Sequence, residues 1–445
     1  MRTVQLWGRC VLGVHLIIFI VGCGAAAKLS VIEGTGANPV LPPPNGSLIP
    51  IVNVVDAKGW GPTETPDAAS GSAVVAFARD LDHPRWLHVL PNGDVLVAET
   101  NAPPRPDDAK GIKGWFFKKF QKKAGGAVPS ANRITLLRDA DGDGVAEVRS
   151  TFLDNLSSPF GMALVGDTLY IANTDAVVRV NYKEGATRLT SAPVKVADLP
   201  GGTINHHWTK SLIASADGTR LYVGSGSNSN VAERGMENEV DRACVLEIDV
   251  KTGARRVYAS GLRNPVGLAW EPTSNTLWVA VNERDELGSD LVPDYMTSVK
   301  EGGFYGWPYS YFGANVDKRV KPPRPDLVAK AISPDYALGP HTASLGLAYS
   351  RGTERSPQQG EGMYVGQHGS WNRKPRSGYK VIFVPFANGR PSGMPRDVLT
   401  GFVLENGDAM GRPVGVAIAQ DGSLLVADDV GNAVWRVSRA PTTTR

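Results

Sequence analysis

From residue 76 onward the hydrophobic and polar positions of the chain repeat one pattern. A tight turn, often Asp-Gly or Asn-Gly, precedes an apolar run that ends in Val or Ile and a small residue. Its six copies are Asn92-Gly93-Asp94-Val95-Leu96-Val97-Ala98, Gly166-Asp167-Thr168-Leu169-Tyr170-Ile171-Ala172, Asp217-Gly218-Thr219-Arg220-Leu221-Tyr222-Val223-Gly224, Ser274-Asn275-Thr276-Leu277-Trp278-Val279-Ala280, Glu361-Gly362-Met363-Tyr364-Val365-Gly366 and Asp421-Gly422-Ser423-Leu424-Leu425-Val426-Ala427. Most copies follow another apolar run that opens with Gly or Pro-x-Gly, as in Pro159-Phe160-Gly161, Pro265-Val266-Gly267, Leu345-Gly346 and Pro413-Val414-Gly415. Strand, tight turn, strand is a hairpin. Hairpins recurring at near-blade spacing, stretched by insertions, predict radial repetition. The fold class expected is all-β, a six-bladed β-propeller over residues 76–440, in preference to an irregular multi-domain β-protein.

Two insertions interrupt the repeats. Residues 101–131 contain Ile112, Trp115, Phe116 and Phe120 at helical spacing beside Lys113, Lys118, Lys119, Lys122 and Lys123. A basic amphipathic helix of this kind suits an anionic membrane surface or a cap on one face of the propeller. Residues 283–335 join acidic positions to Gly302-Gly303-Phe304-Tyr305-Gly306-Trp307-Pro308 and a proline-rich run. That length suggests walls of a site.

Ahead of the repeats, residues 1–22 read as an export signal. Arg2 and Arg9 precede an apolar run at 11–21 that is short for a membrane span. The run ends in Ile20-Val21-Gly22-Cys23, which resembles a bacterial lipobox with Cys23 as the lipidated residue; cleavage of an ordinary signal near residues 25–27 is the alternative. Residues 23–75, rich in Pro and Gly and including Pro42-Pro43-Pro44, read as a tether with a strand near 49–55. Export places the chemistry on the periplasmic side of a bacterial membrane. Of the three cysteines only Cys244 then remains, in an apolar run, so no disulfide framework is available.

Composition adds little to this picture. The 445 residues carry 50 Gly and 32 Pro, as many short strands and turns require. A net charge of +3 and the lack of any recognition motif argue against nucleic acid as a partner.

Candidate chemistry begins with His206 and His207, which sit between the Gly201-Gly202 turn and the start of a strand, where a propeller presents side chains at the mouth of its channel. A neutral imidazole there suits a general base. Arg263-Asn264, Arg412 and the His368-Gly369-Ser370-Trp371-Asn372-Arg373 run flank other repeats, and convergent guanidinium groups would suit a small polyanion. Asp139, Asp141, Asp143 and Glu147, with Gly144 at the sixth position, have the alternate-oxygen spacing of a short calcium loop; an unmetallated acidic turn is the other reading. Glu283, Asp285, Glu286 and Asp290 follow the fourth repeat, as calcium ligands near the channel or as a solvated loop.

The His-His segment, Gly261-Leu262-Arg263-Asn264-Pro265, Gly303-Phe304-Tyr305-Gly306-Trp307-Pro308 and His368-Gly369-Ser370-Trp371-Asn372-Arg373 together resemble the soluble quinoprotein glucose/sorbosone dehydrogenases, in particular the L-sorbosone dehydrogenase-like branch related to pyrroloquinoline quinone (PQQ)-dependent pyranose dehydrogenases. The resemblance runs from about residue 80 to 437. It implies a six-bladed propeller binding PQQ and Ca²⁺ on one face, with His207 as the base, Arg263 and Asn264 at the quinone and Arg412 on a quinone carboxylate. No counterpart of the family's quinone-contacting lysine is present, and His368 and Arg373 are the candidates to replace it. The family's Gln-Gly-Pro calcium segment is replaced by Arg284-Asp285-Glu286, which puts the metal ligands in question. The function implied is oxidation of an aldose, a sorbosone-like sugar or another aldehyde, with electrons passed to a membrane quinone or a cytochrome. A calcium-dependent lactonase-type hydrolase and a sugar-binding propeller without catalysis are the rivals.

Overall fold

A computed structural model describes residues 25–47, 51–106, 119 and 122–440. The signal segment, Cys23 and nearly all of the lysine-aromatic stretch at 112–120 lie outside these residues.

The repeats fold as six antiparallel sheets arranged around a central channel. Blade 1 is Pro84–Val89, Val95–Glu99, Arg133–Arg138 and Val148–Leu153; blade 2 is Met162–Val165, Thr168–Ala172, Ala176–Asn181 and Val194–Asp198; blade 3 is Leu212–Ala214, Arg220–Ser225, Cys244–Asp249 and Arg255–Ser260. Blade 4 is Pro265–Glu271, Thr276–Val281, Pro293–Ser298 and Tyr336–Pro340, and blade 5 is Ser344–Ser350, Gly362–Gln367, Lys380–Ala387 and Arg396–Thr400. Blade 6 takes Pro413–Ile418, Leu424–Asp428 and Ala433–Arg439 from the end of the chain and Ser72–Ala78 as its outermost strand. This pairing of distant segments closes the ring.

The recurrent glycine of the innermost strands now has a physical reason. A Cβ at Gly267 would lie 2.5 Å from Leu347 Cβ and 2.6 Å from the Leu345 carbonyl, both in the next blade. One at Gly346 would lie 2.2 Å from the Val414 carbonyl of the blade after that. Innermost strands thus meet backbone to backbone, and the channel stays narrow. Farther out the core lies between sheets. Tyr170, Ala172, Leu212, Leu221, Val223, Cys244 and Leu246 of blades 2 and 3 form one such layer. Cys244 is a buried small hydrophobe, and burial pushes its thiol up to about 12.

The segment expected as a tether is instead laid on the propeller over its described part. Thr35–Gly36 pairs with Ala337 and Leu338 at the edge of blade 4, Asp56–Ala57 with Asp408 and Ala409, and Asp67–Ala68 with Leu399 and Thr400. Residues 51–55 form no strand. Extended, proline-fixed backbone has few amides to satisfy, and the loop carbonyls of the propeller satisfy them. Asn45 N donates to Leu287 O, and Asn53 N to Trp371 O.

Gly267→Ala should lower stability by about 1–3 kcal/mol through overpacking, measured as a lower urea midpoint. An unchanged midpoint would mean that the close approach carries no energetic weight.

Candidate active site

Each innermost strand starts on the same face of the ring, so the blade-to-blade crossings bring 83–85, 158–160, 205–211, 261–264, 341–343 and 410–412 together there. The loops joining the second and third strands of each blade emerge on that face too.

His207 lies in the crossing into blade 3. Its Nδ1 is 2.7 Å from the Ser227 carbonyl, which can only accept, so Nδ1 carries the proton and Nε2 is the basic nitrogen. Burial, then the charges of Arg263, His206 and Arg242, hold its pKa well below the ordinary imidazole value. The ring is therefore neutral at neutral pH, with Nε2 in the unprotonated form a base requires. Arg242 positions the crossing. Its guanidinium, buried beneath the turn, donates to Pro200 O at 2.9 Å, Gly201 O at 2.8 Å, Asn205 Oδ1 at 2.9 Å and Gly226 O at 3.2 Å. Asn205, held at φ 37°, donates through Nδ2 to Thr174 Oγ1.

Gly226 places His207 beside Asn264. A Cβ there would sit 2.3 Å from Asn264 Oδ1 and 2.5 Å from His207 Cβ. Asn264 Oδ1 is buried and has no hydrogen-bond partner among the described residues. Arg263, also buried, donates to the Glu283 carbonyl at 2.7 Å and to Asn230 Oδ1 at 3.0 Å, and lies 3.6 Å from the Asp285 carboxylate. Asp285 accepts from Asn372 Nδ2 at 2.8 Å, and His341 Nδ1 is 3.5 Å away. Burial would raise the Asp285 pKa, but His341 and Arg263 outweigh it and hold the carboxyl below its usual range. Asn372 Oδ1 is a second buried oxygen without a partner among the described residues.

The opposite wall is built on Asp429. His368 Nε2 stands 2.9 Å from its carboxylate, Arg85 Nη1 2.8 Å and His83 Nε2 3.6 Å. Burial works against the Asp429 charge, yet His368, His83 and Arg85 together keep its pKa depressed. Burial and then Arg412 push His368 down to about 4. Arg412 donates to the His368 and Gly369 carbonyls and lies over the Tyr379 ring, with no carboxylate partner among the described residues. Arg85 reaches to 5.9 Å from the centroid of the Trp208 ring, which closes the circle back to His207.

Three of the expected residues do not join this group. Arg373 is buried, but its guanidinium is used on the carbonyls of Ser289, Pro375 and Leu29. Asp290 accepts the amides of Lys28 and Leu29. Glu283 is tied to the buried Arg284 at 2.9 Å, and Arg284 pairs also with Asp317 at 3.1 Å. The expected set of Glu283, Asp285 and Asp290 therefore does not converge on an ion. A buried arginine needs carboxylates and carbonyls of its own, and it takes them first. Asp139, Asp141, Asp143 and Glu147 do come together, with oxygens within 4.8 Å of one another, and Arg436 contacts Asp139 at 2.9 Å. Their loop joins the two outer strands of blade 1, on the face away from His207.

Sequence reasoning missed Arg85, Asp429 and Arg242, and named Asn372 only within a motif. One signal was available for Asp429. It follows the second strand of its repeat, as Asn173, Glu283 and His368 follow theirs, so it belongs on the same face.

These features define an all-β propeller whose channel mouth holds a neutral imidazole base, two unpartnered amide oxygens and an excess of guanidinium groups. The TrAA12-like family profile matches residues 129–301 and 327–440, and the chain belongs to this family. An uncharacterized protein of Borreliella burgdorferi is 29% identical over 297 residues, which cover 64% of this chain and 77% of that protein. A pyrroloquinoline quinone-dependent pyranose dehydrogenase of Coprinopsis cinerea is 34% identical over 129 residues, 25% of this chain and 17% of the relative. Among solved structures, the holo form of the pyranose dehydrogenase PQQ domain from Coprinopsis cinerea has a TM-score of 0.67 at 20% identity, covering 87% of this chain and 100% of that one. The calcium structure of the Trichoderma reesei family AA12 enzyme has a TM-score of 0.68 at 18% identity, covering 86% and 100%. Both share the fold.

Because the Asp429 pKa is depressed in the folded state, its contribution is present above the unfolded carboxyl value of about 3.9 and is lost as pH falls through the acid range below it. Asp429→Asn leaves Arg85 buried without its counter-charge, so it should cost about 3–5 kcal/mol at neutral pH. In urea unfolding, the gap to wild type should narrow as pH drops below about 4.

Proposed function

We propose that this chain is a PQQ-dependent dehydrogenase that oxidises an aldose, a sorbosone-like sugar or another aldehyde. It is exported, anchored at the periplasmic side of a bacterial membrane through Cys23, and delivers electrons to a membrane quinone or a cytochrome. The observation that carries the reading is the His207 imidazole, neutral and with Nδ1 fixed on the Ser227 carbonyl, beside the orphaned Asn264 Oδ1 and two guanidinium groups.

The residues present fit such a cofactor. Buried amide oxygens without partners call for a ligand with donors, and Arg412 offers a fork to a carboxylate. Arg263, Asn264, Asn372 and Arg412 would hold the quinone, with Arg85 and His368 behind Arg412. When bound, PQQ supplies a carbon that accepts hydride. His207 Nε2 accepts the proton of the substrate hydroxyl. Ser227 O, fixing Nδ1, keeps the ring in the tautomer that can do so. Trp208 and Phe160, packed edge to face at 5.8 Å, keep water from the inner side of the crossing.

Calcium belongs in this reading at Asp139, Asp141, Asp143 and Glu147, as a structural ion remote from the base. The lactonase-type rival needs carboxylates converging on the channel, and Glu283 and Asp290 are committed elsewhere. A sugar-binding propeller without catalysis would leave the buried, tautomer-fixed imidazole of His207 without a use.

Reconstituted with PQQ and Ca²⁺, the protein should reduce an artificial dye with aldose or aldehyde substrates. His207→Ala should lower kcat by about 10²–10⁴-fold while PQQ binding, titrated by absorbance, is kept. Because its pKa lies below the ordinary histidine value, His207 stays unprotonated as pH falls past it. The acid limb of kcat/KM should accordingly lie below about pH 6.5. Absence of PQQ binding at micromolar concentrations would sink the assignment. Separately, Ca²⁺ should raise the melting temperature of wild type and not of Asp141→Asn, with equal dye reduction by both.

A further inference from the structure

Where the N-terminal segment joins the propeller decides how an anchored molecule must stand. Ser289 Oγ donates to Ala25 O at 2.9 Å, Ala27 N donates to Lys374 O at 2.8 Å, and the amides of Lys28 and Leu29 donate to Asp290. Buried Arg373 holds the Leu29 carbonyl from below at 2.8 Å. Ser289 and Asp290 lie in the loop between the second and third strands of blade 4, and Arg373 and Lys374 in the equivalent loop of blade 5. Both loops emerge on the face that carries His207. The chain is therefore stapled to the rim of the site face from Ala25 onward. Cys23 is two residues earlier, a reach of about 7 Å at full extension.

The surface around this point has the character of a membrane-facing rim. Trp371 is 39% exposed and Val52 44%, and they are adjacent through the Asn53 N to Trp371 O hydrogen bond. Exposed Lys374 follows Trp371 by three residues, and its carbonyl accepts from Ala27 N next to exposed Lys28; tryptophan and lysine together are the combination that settles at the headgroup level. Across the same face, the blade 3 loop leaves Val240 67% exposed. The calcium-loop face carries no anchoring segment among the described residues.

We propose that the face bearing His207 is turned toward the lipid bilayer, docked there through the short link to Cys23 and the rim of Trp371, Val52, Lys28 and Lys374. The inference rests on the lipid-anchor reading and adds the orientation. It follows that the channel mouth opens onto the membrane surface, where a lipid-soluble electron acceptor has the shortest route. Sugar enters from the side, between the rim and the headgroups.

The test uses the full chain made in a lipoprotein-processing bacterium and reconstituted into vesicles of zwitterionic and anionic lipid containing a nitroxide-headgroup lipid. A fluorophore is placed on Val52→Cys or Val240→Cys at the site face, or on Glu184→Cys in the turn between the outer strands of blade 2. Cys244 is buried and does not compete. Mass analysis of the N-terminal peptide reads the lipid on Cys23. The expected result is a lipidated Cys23 with quenching several-fold stronger at positions 52 and 240 than at 184. Lipidated protein with equal or reversed quenching would overturn the orientation and leave the anchor standing. Absence of lipid on Cys23 would overturn both. Shielding of the 52 and 240 labels that depends on protein concentration in lipid-free samples would give this face to a second copy of the chain.

Discussion

The close approach of neighbouring innermost strands is the constraint on which the rest of this molecule depends. A side chain at Gly267 or Gly346 would push two sheets apart, and the ring of blades would open. Backbone contact there keeps the channel narrow enough for residues from non-adjacent blades to meet. Arg85 of blade 1 reaches the Trp208 ring at the start of blade 3; between neighbouring blades, Asn372 of blade 5 reaches Asp285 of blade 4. A looser ring would leave the same side chains facing solvent singly, and their pKa values would return toward ordinary ones, because burial is the largest single cause at His207 and His368.

A second layer of order comes from arginines that never face the channel. Arg242, Arg284 and Arg373 are each buried and each spend their donors on loop carbonyls and carboxylates. One guanidinium can satisfy several carbonyls at once in a fixed planar fork, so it serves as a peg for irregular loops that lack sheet pairing. Arg242 pegs the turn before His207, Arg284 joins the blade 4 insertion to the 283–291 loop, and Arg373 fixes the N-terminal segment. The charge inventory of these loops reads as a binding surface only until the pegs are subtracted.

That subtraction explains how far the sequence could be read. The blade count was legible because tight turns and the Pro-x-Gly glycine recur, and both have a local physical cause. His207, Arg263, Asn264 and Arg412 were legible because they stand at the blade crossings, whose position follows from the repeat. Arg373 and Asp290 look the same in sequence as the residues that line the channel mouth. Their partners, Leu29 and Lys28, lie more than 250 positions away, in a segment whose prolines suggested a tether. The pairing of Asp429 with Arg85 spans the ring closure, so no local pattern announces it.

The charges left at the channel mouth tie the base to whatever the site holds. Arg263 has Asp285 nearby and Arg85 has Asp429, whereas Arg412 has no carboxylate partner among the described residues. Arg263 and His206 also depress His207. An anion seated between Arg263 and Arg412 would offset that positive field, and the basicity of His207 would rise toward the range in which a general base works best near neutral pH. Loss of the anion would lower it again. The same guanidinium groups would then select the ligand and tune the base, so that the imidazole becomes an effective proton acceptor chiefly when the site is loaded.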